Sequence, residues 1–243
     1  MYSKGMSDDD KQIPSVWARP RKERQQPLLT RESIVAEAVR LLDEEGADNL
    51  SMRRLGSRLG AGATSLYRHV ASKDELLELA LDAVYGELPL PGTGEWRETV
   101  TEVARAMRAT ILRHPWLAAK LGEAGLAYLG PNMLRQSEFM LGVMEDAGFP
   151  LDEADQAVTT VTAFVVGIST SEAAWLSMVA RSGQSEEEVA EKLWPAAEQA
   201  VRDYPRLRAR YAAQKSGGTS GNNQDSFEYG LQRVLDGLQA RLG

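Results

Sequence analysis

An all-α fold is predicted for this chain of 243 residues, as a small N-terminal helix-turn-helix domain followed by a larger helical domain. Three observations predict it. From Thr30 onward apolar residues recur at three- and four-residue spacing, the period of a helix with one buried face. No segment shows the apolar-polar alternation of a half-buried strand over a useful length. The periodic stretches are punctuated by capping residues at their starts and by Gly or Pro at their ends, which gives about nine or ten helices.

Residues 1–29 have few apolar side chains and carry the cluster Arg19, Arg21, Lys22 and Arg24, so they are expected to form a disordered basic arm. Ile34, Ala38, Leu41 and Leu42 mark a first helix between an N-cap at Thr30 and a stop at Gly46. A second, short helix runs from Ser51 to about Leu59. Gly60 and Gly62 bracket a turn, and a third helix follows from about Ala63 to Val70. Ser72 and Glu75 form a capping box that opens a fourth helix through Leu76, Leu79, Ala80 and Val84. Pro89 to Gly94 breaks the pattern and separates a domain at 30–84 from one at 85–243.

In the second part, Trp96, Val100, Val103, Met107 and Ile111 lie on one helix face, ended by His114 and Pro115. A short helix from Trp116 leads to Gly130-Pro131. Met133 to Ala147 form the next helix, stopped by Gly148 and Pro150. The segment from Asp152 to about Ala180 is apolar on more than one face and must be covered on two sides. Ser185 and Glu188 cap a helix reaching about Tyr204. Lys215 to Asp225 is a flexible loop by composition, and a last helix carries Leu231, Val234, Leu235, Leu238 and Leu242.

Composition excludes several functions. With no cysteine, thiolate catalysis, disulfides and cysteine-held metals are ruled out, and the two histidines, His69 and His114, cannot build a histidine-rich metal site. No cofactor and no metal is expected. No apolar run is seen to approach the roughly 18 to 20 residues of a spanning helix, and the polar N-terminus is not a signal peptide, so a soluble cytoplasmic protein without membrane contact is expected. The formal charge of −7 hides an asymmetry: −1 over residues 1–18, +4 over 19–73 and −10 over 74–243. A basic front third is joined to an acidic remainder, which suggests parts with different partners.

Two short helices joined by a glycine turn describe a helix-turn-helix. Leu59, Leu66 and Val70 face inward, with Met52 or Leu55. Small or hydroxylated residues at the start of the third helix, Ala63, Thr64 and Ser65, permit close approach to base edges. Tyr67, Arg68, His69 and Lys73 supply donors for phosphates and bases. The spacing alone leaves DNA binding and a purely structural or protein-binding helix pair both open.

The residues go further than the spacing. The run from Ile34 to Lys73, above all Leu66-Tyr67-Arg68-His69-Val70-Ala71-Ser72-Lys73, resembles the DNA-binding domain of the TetR family of bacterial repressors. The similarity covers about 55 residues, from Thr30 to Val84. Beyond them, helix order, Arg113-His114-Pro115-Trp116, and Gly167 with Glu172 resemble the C-terminal domain of the tetracycline-repressor subgroup. The resemblance implies that Ser51, Met52 and Arg53 contact the backbone or a base. It implies that Ala63, Thr64, Ser65, Tyr67 and His69 face the major groove, with Tyr67, His69 and Lys73 on phosphates and Arg68 on a base or along the backbone. The basic arm either enters an adjacent minor groove or remains a solvated tail.

The resemblance further implies a homodimer on double-stranded, palindromic operator DNA, paired through the apolar helix at 152–180 and the terminal stripe from Leu231 to Leu242; the alternative is that both stripes pack within one subunit. Met107, Trp116, Phe139, Met140, Met144, Thr160, Phe164 and Trp175 either fill the core or line an apolar effector pocket, with Gln136, Thr160 and Ser169 orienting the ligand. A small, largely apolar effector is expected to release the operator. Leu121 stands where classical tetracycline repressors hold magnesium through histidine, which disfavours that effector, and His114 is expected to be structural. Besides this ligand-responsive repressor stands a helical interaction module, or a ligand binder without DNA readout. An enzyme is the least supported class, since no nucleophile elbow, phosphate loop or zinc motif occurs.

Overall fold

The computed structural model describes residues 29–92, 94–124, 130–217 and 222–242. The predicted arm at 1–29 therefore lies outside the described residues except for Leu29. Among the described residues there are eleven α-helices, one short 3-10 turn and no strand.

The first four helices form one small bundle. α1 (Arg31–Glu45) starts at a capping box in which Thr30 accepts the Ser33 N–H at 3.1 Å and Ser33 accepts the Thr30 N–H at 3.0 Å. After the 3-10 turn Ala47–Asn49 come α2 (Met52–Arg58), α3 (Ala63–Leu66) and α4 (Lys73–Tyr85). The faces predicted to be apolar meet: Ile34, Ala38, Leu41 and Leu42 of α1 are buried with Leu76, Ala80 and Leu81 of α4. Ser51 and Ser72 cap α2 and α4 through the N–H groups of Arg54 and Glu75.

The larger part comprises α5 (Trp96–Arg113), α6 (Trp116–Ala124), α7 (Pro131–Asp146), α8 (Leu151–Ser182), α9 (Glu186–Ala200), α10 (Pro205–Gly217) and α11 (Asn222–Leu242). α8 is the axis against which α5, α6, α7, α9 and α11 pack. One apolar core runs from Ile34 through both parts to Leu235. The small bundle is thus seated on the larger part through α4 rather than tethered to it, with α4 packing on α7.

Four sequence expectations change. α10 was not predicted, because its arginines leave it no apolar stripe and its side chains up to Arg210 are exposed. The predicted loop at 215–225 shortens, since α10 extends to Gly217 and α11 begins at Asn222, with 218–221 outside the described residues. α3 is one turn long, and the chain then continues in a turn that brings the Val70 N–H to the Leu66 carbonyl at 3.0 Å. Finally, α8 does hold an apolar 18-residue window, of mean hydropathy 1.4 and 22% buried, long and apolar enough by composition to cross a membrane. The small residues that raise its hydropathy pack against neighbouring helices on one side, at Ala154, Ala157, Val161, Val165 and Ala173.

Candidate nucleic-acid interface and ligand cleft

The tight approach of α2 and α3 is set by backbone chemistry. A Cβ at Gly56 would sit 2.7 Å from the Ala61 carbonyl oxygen, so only glycine permits the turn. Gly60, at φ +64°, supplies the left-handed residue that reverses the chain. Leu55, Leu66 and Val70 anchor the pair in the core. The opposite face is left to solvent: Ser51, Arg53, Thr64, Ser65, Tyr67, Arg68 and His69 are exposed, with Tyr67 at 52%. Ala63 is half-buried against the core. Lys73 is half-buried too, its Nζ donating to the Ala47 carbonyl at 3.3 Å. Met52 corrects an expectation. It is buried in the core beside Leu55, so it supports α2 from inside and does not reach a groove.

Most cations of this bundle are engaged internally. Arg31 pairs with Glu75 at 2.5 Å, Arg40 with Glu37 at 2.6 Å and Arg54 with Glu45 at 2.5 Å. Arg58 joins α2 to α1 through Glu37 and Glu44, each at 2.5 Å. Among the described residues, Arg53 and Arg68 carry guanidinium groups without a carboxylate partner. The +4 found by counting therefore understates how the charge is sorted: paired arginines hold the helices together, and unpaired ones stand on the outward face.

Two polar nodes, centred on the buried His114 and Asp82, join this bundle to the larger part. Asp43 of α1 accepts the Trp116 indole N–H at 2.7 Å and meets His114 Nδ1 at 2.7 Å, while His114 Nε2 lies 3.4 Å from Glu87, itself paired with Arg113. Burial, the largest single influence on His114, pushes its pKa down. The hydrogen bond and charge of Asp43, with Glu87, outweigh it and leave the pKa raised. Asp82 of α4 is buried and accepts the backbone N–H groups of Asn132 at 2.9 Å and Met133 at 3.1 Å, capping α7 from another helix.

Of the eight residues expected to line an effector pocket, Met107, Trp116, Phe139, Met140, Met144 and Phe164 belong to or pack against one apolar core. Met107, Trp116, Met140 and Met144 are buried in the core. Thr160 is exposed and donates to the Gln156 carbonyl at 2.7 Å. Phe164 stacks on Phe227 at 5.9 Å, and Phe139 borders a crevice of about 470 Å³ beside Trp96, Glu95 and Asp146. Trp175 borders a different cleft, of about 760 Å³, among α8, α9, α10 and α11. Helical spacing of large apolar residues is what a core requires, and it does not distinguish a wall from a filled interior. Two of the expected polar orienters behave differently: Gln136 Nε2 and Ser169 Oγ are buried without a hydrogen-bond partner. Sequence reasoning missed Asp43, Asp82, Trp194 and Tyr211; the unpredicted α10 hid the last of these.

The family model described as bacterial regulatory proteins of the tetR family matches residues 34–80, and the tetracycline-repressor-like C-terminal domain matches residues 88–242. The chain belongs to the TetR family. An HTH-type transcriptional regulator of Saccharopolyspora erythraea is 40% identical over 232 residues, covering 94% of this chain and 93% of that one. The HTH-type transcriptional repressor DrrR1 of Streptomyces coeruleorubidus is 35% identical over 218 residues, covering 88% and 78%. Among solved structures, the TetR family protein ActR of Streptomyces coelicolor in complex with actinorhodin superimposes with a TM-score of 0.71 at 31% identity, over 88% of this chain and 99% of ActR. As a TetR protein this chain is a ligand-responsive transcriptional repressor.

Proposed function

We propose that two copies of this TetR repressor bind a palindromic operator on double-stranded DNA and leave it when a small, largely apolar molecule enters the larger domain. The observation that carries the DNA contact is the outward face of α2 and α3. There Thr64, Ser65, Tyr67 and His69 stand exposed beside the two unpaired guanidinium groups of Arg53 and Arg68, while the other arginines near them are consumed by ion pairs. Short hydroxylated side chains let the backbone approach base edges, and unpaired cations fix the register on phosphates. Ser51 and Lys73 flank that face. The domain division follows the same logic: 1–29 an arm, 30–84 the reading head, 85–243 the regulatory and dimerisation domain.

Dimerisation is supported by α8. Thr159, Thr160, Ala163, Gly167, Thr170, Ala174 and Met178 are exposed on its side away from the core, a face without charge that a second copy would cover. The effector reading is supported by the unpartnered Gln136 Nε2 and Ser169 Oγ, since buried polar groups are normally satisfied, and by the likeness to ActR, solved with actinorhodin. No catalytic step is assigned, and a cytoplasmic location follows from the partner. A mobility shift with the DNA flanking the protein's own gene tests this reading. Binding should fall steeply between about 50 and 200 mM salt. Failure to shift that DNA or any other genomic fragment overturns it.

A further inference from the structure

The ion pairs of the reading head differ in how firmly they hold. Arg58 of α2 is fastened to α1 by Glu37 and Glu44, each at 2.5 Å, with Glu45 at 3.9 Å, and its side chain is 29% exposed. Arg40 pairs along its own helix with the buried Glu37. Arg31 stands at the start of α1 and bridges it to Glu75 of α4. Arg54 is held differently. It meets a single carboxylate, that of Glu45 at the last position of α1, through one nitrogen–oxygen contact at 2.5 Å, and its side chain is 52% exposed. An exposed pair of two flexible side chains contributes little to stability, because water screens it and holding both chains in one geometry costs entropy. Exchange of Glu45 for another anion therefore meets little resistance.

The position of Arg54 supplies that other anion. Met52 and Leu55 are buried in the core, so Arg53 and Arg54 lie together on the outer side of the first turn of α2. The Arg54 N–H donates to Ser51 Oγ at 3.3 Å, which ties it to the N-cap that flanks the reading face. A phosphate bound beside Ser51 and Arg53 comes within reach of the Arg54 guanidinium. The carboxylate left behind is not stranded, since Glu45 Oε1 already lies 3.9 Å from Arg58. Phosphate also has an advantage that Glu45 lacks: neutralising it releases a counterion from the DNA.

We propose that Arg54 is a further DNA-contacting residue and that Glu45 is its competitor within the chain, holding the guanidinium until a phosphate takes it. On DNA, Arg54 moves from Glu45 to the phosphate and Glu45 turns to Arg58. This exchange rests on the reading of α2 and α3 as the DNA face. The test titrates the full-length protein against labelled duplex from the DNA flanking its own gene, by fluorescence anisotropy between about 50 and 200 mM salt. R54A should lower affinity about tenfold and remove about one unit from the salt slope. E45Q, which removes the competitor, should raise affinity about threefold, whereas E44Q, which removes the same charge one residue away, should change it less than about 1.5-fold. In the R54A background E45Q should have no effect. R54Q takes the place of R54A should the latter lose helicity by circular dichroism. An unchanged salt slope without Arg54, no gain in E45Q, a gain that persists without Arg54, or an equal gain in E44Q would each overturn the proposal and leave the DNA face intact. Failure of the natural chain to bind any genomic fragment would overturn that reading and the proposal together.

Discussion

Replacing Asp82 by alanine should cost this protein about 2–3 kcal/mol of stability. The carboxylate belongs to α4, yet its Oδ1 receives the N–H groups of Asn132 and Met133 at 2.9 and 3.1 Å, and its Oδ2 receives the Asn132 side-chain amide at 3.0 Å. Gly130, the N-cap of α7, has no side chain to do this itself. Losing a helix cap costs about 0.5–2 kcal/mol, and buried amides left without an acceptor add to that. Urea unfolding at fixed protein concentration should show a midpoint lower by about 1 M. The same geometry makes a second, coupled prediction. A Cβ at Gly130 would lie 2.2 Å from Asp82 Oδ1, 2.4 Å from its Cγ and 2.7 Å from its Cβ, so G130A should be costly in the natural chain and much cheaper in the D82G background, where all three atoms are gone. A D82A loss below about 0.5 kcal/mol, or strictly additive costs in the double variant, would refute the assignment of Asp82 as the cap of α7.

Three further outcomes follow from the same structure. R53A and R68A should each lower operator affinity about tenfold and shallow its salt dependence by about one unit of slope, whereas R40A, whose guanidinium is already paired with Glu37, should change neither. His114 has its pKa raised from an unfolded value near 6.5, so its charged bridge to Asp43 and Glu87 contributes fully below that value and is lost as pH rises through the folded pKa. Stability measured upward from pH 6 should decline accordingly, and H114Q should flatten that part of the profile; parallel profiles would discard the bridge. Light scattering should give twice 26.7 kDa, and G167R, placing a charge on the exposed face of α8, should give the monomer; a natural chain that is already monomeric at micromolar concentration would contradict the dimer.

The helices that were legible in the sequence are those whose burial is one-sided. Ile34 to Leu42 and Leu76 to Val84 announce their faces by period, and Thr30, Ser72 and Ser185 announce their starts by capping chemistry. α10 was invisible for the opposite reason: a helix rich in exposed arginine carries no period to detect. Met52 illustrates the same limit inside the reading head. Its neighbours Ser51 and Arg53 are exposed, and the packing of α2 on the core decides between the two readings the sequence offers for Met52, an inward residue or a DNA contact, in favour of the first.

The sequence by itself determined the helical class, the position of the helix-turn-helix, the glycine turn that makes it possible and the family to which the chain belongs, because each depends on residues close together along the chain. Tertiary structure alone decided which arginines remain unpaired, that Asp43 and Asp82 fasten the reading head to the regulatory domain, and that Trp175 shares a cleft with Trp194 and Tyr211 rather than with Met107 or Phe164. Those facts depend on side chains brought together from distant helices, where geometry decides which carboxylate an arginine finds and whether a large apolar residue fills a core or borders a cleft.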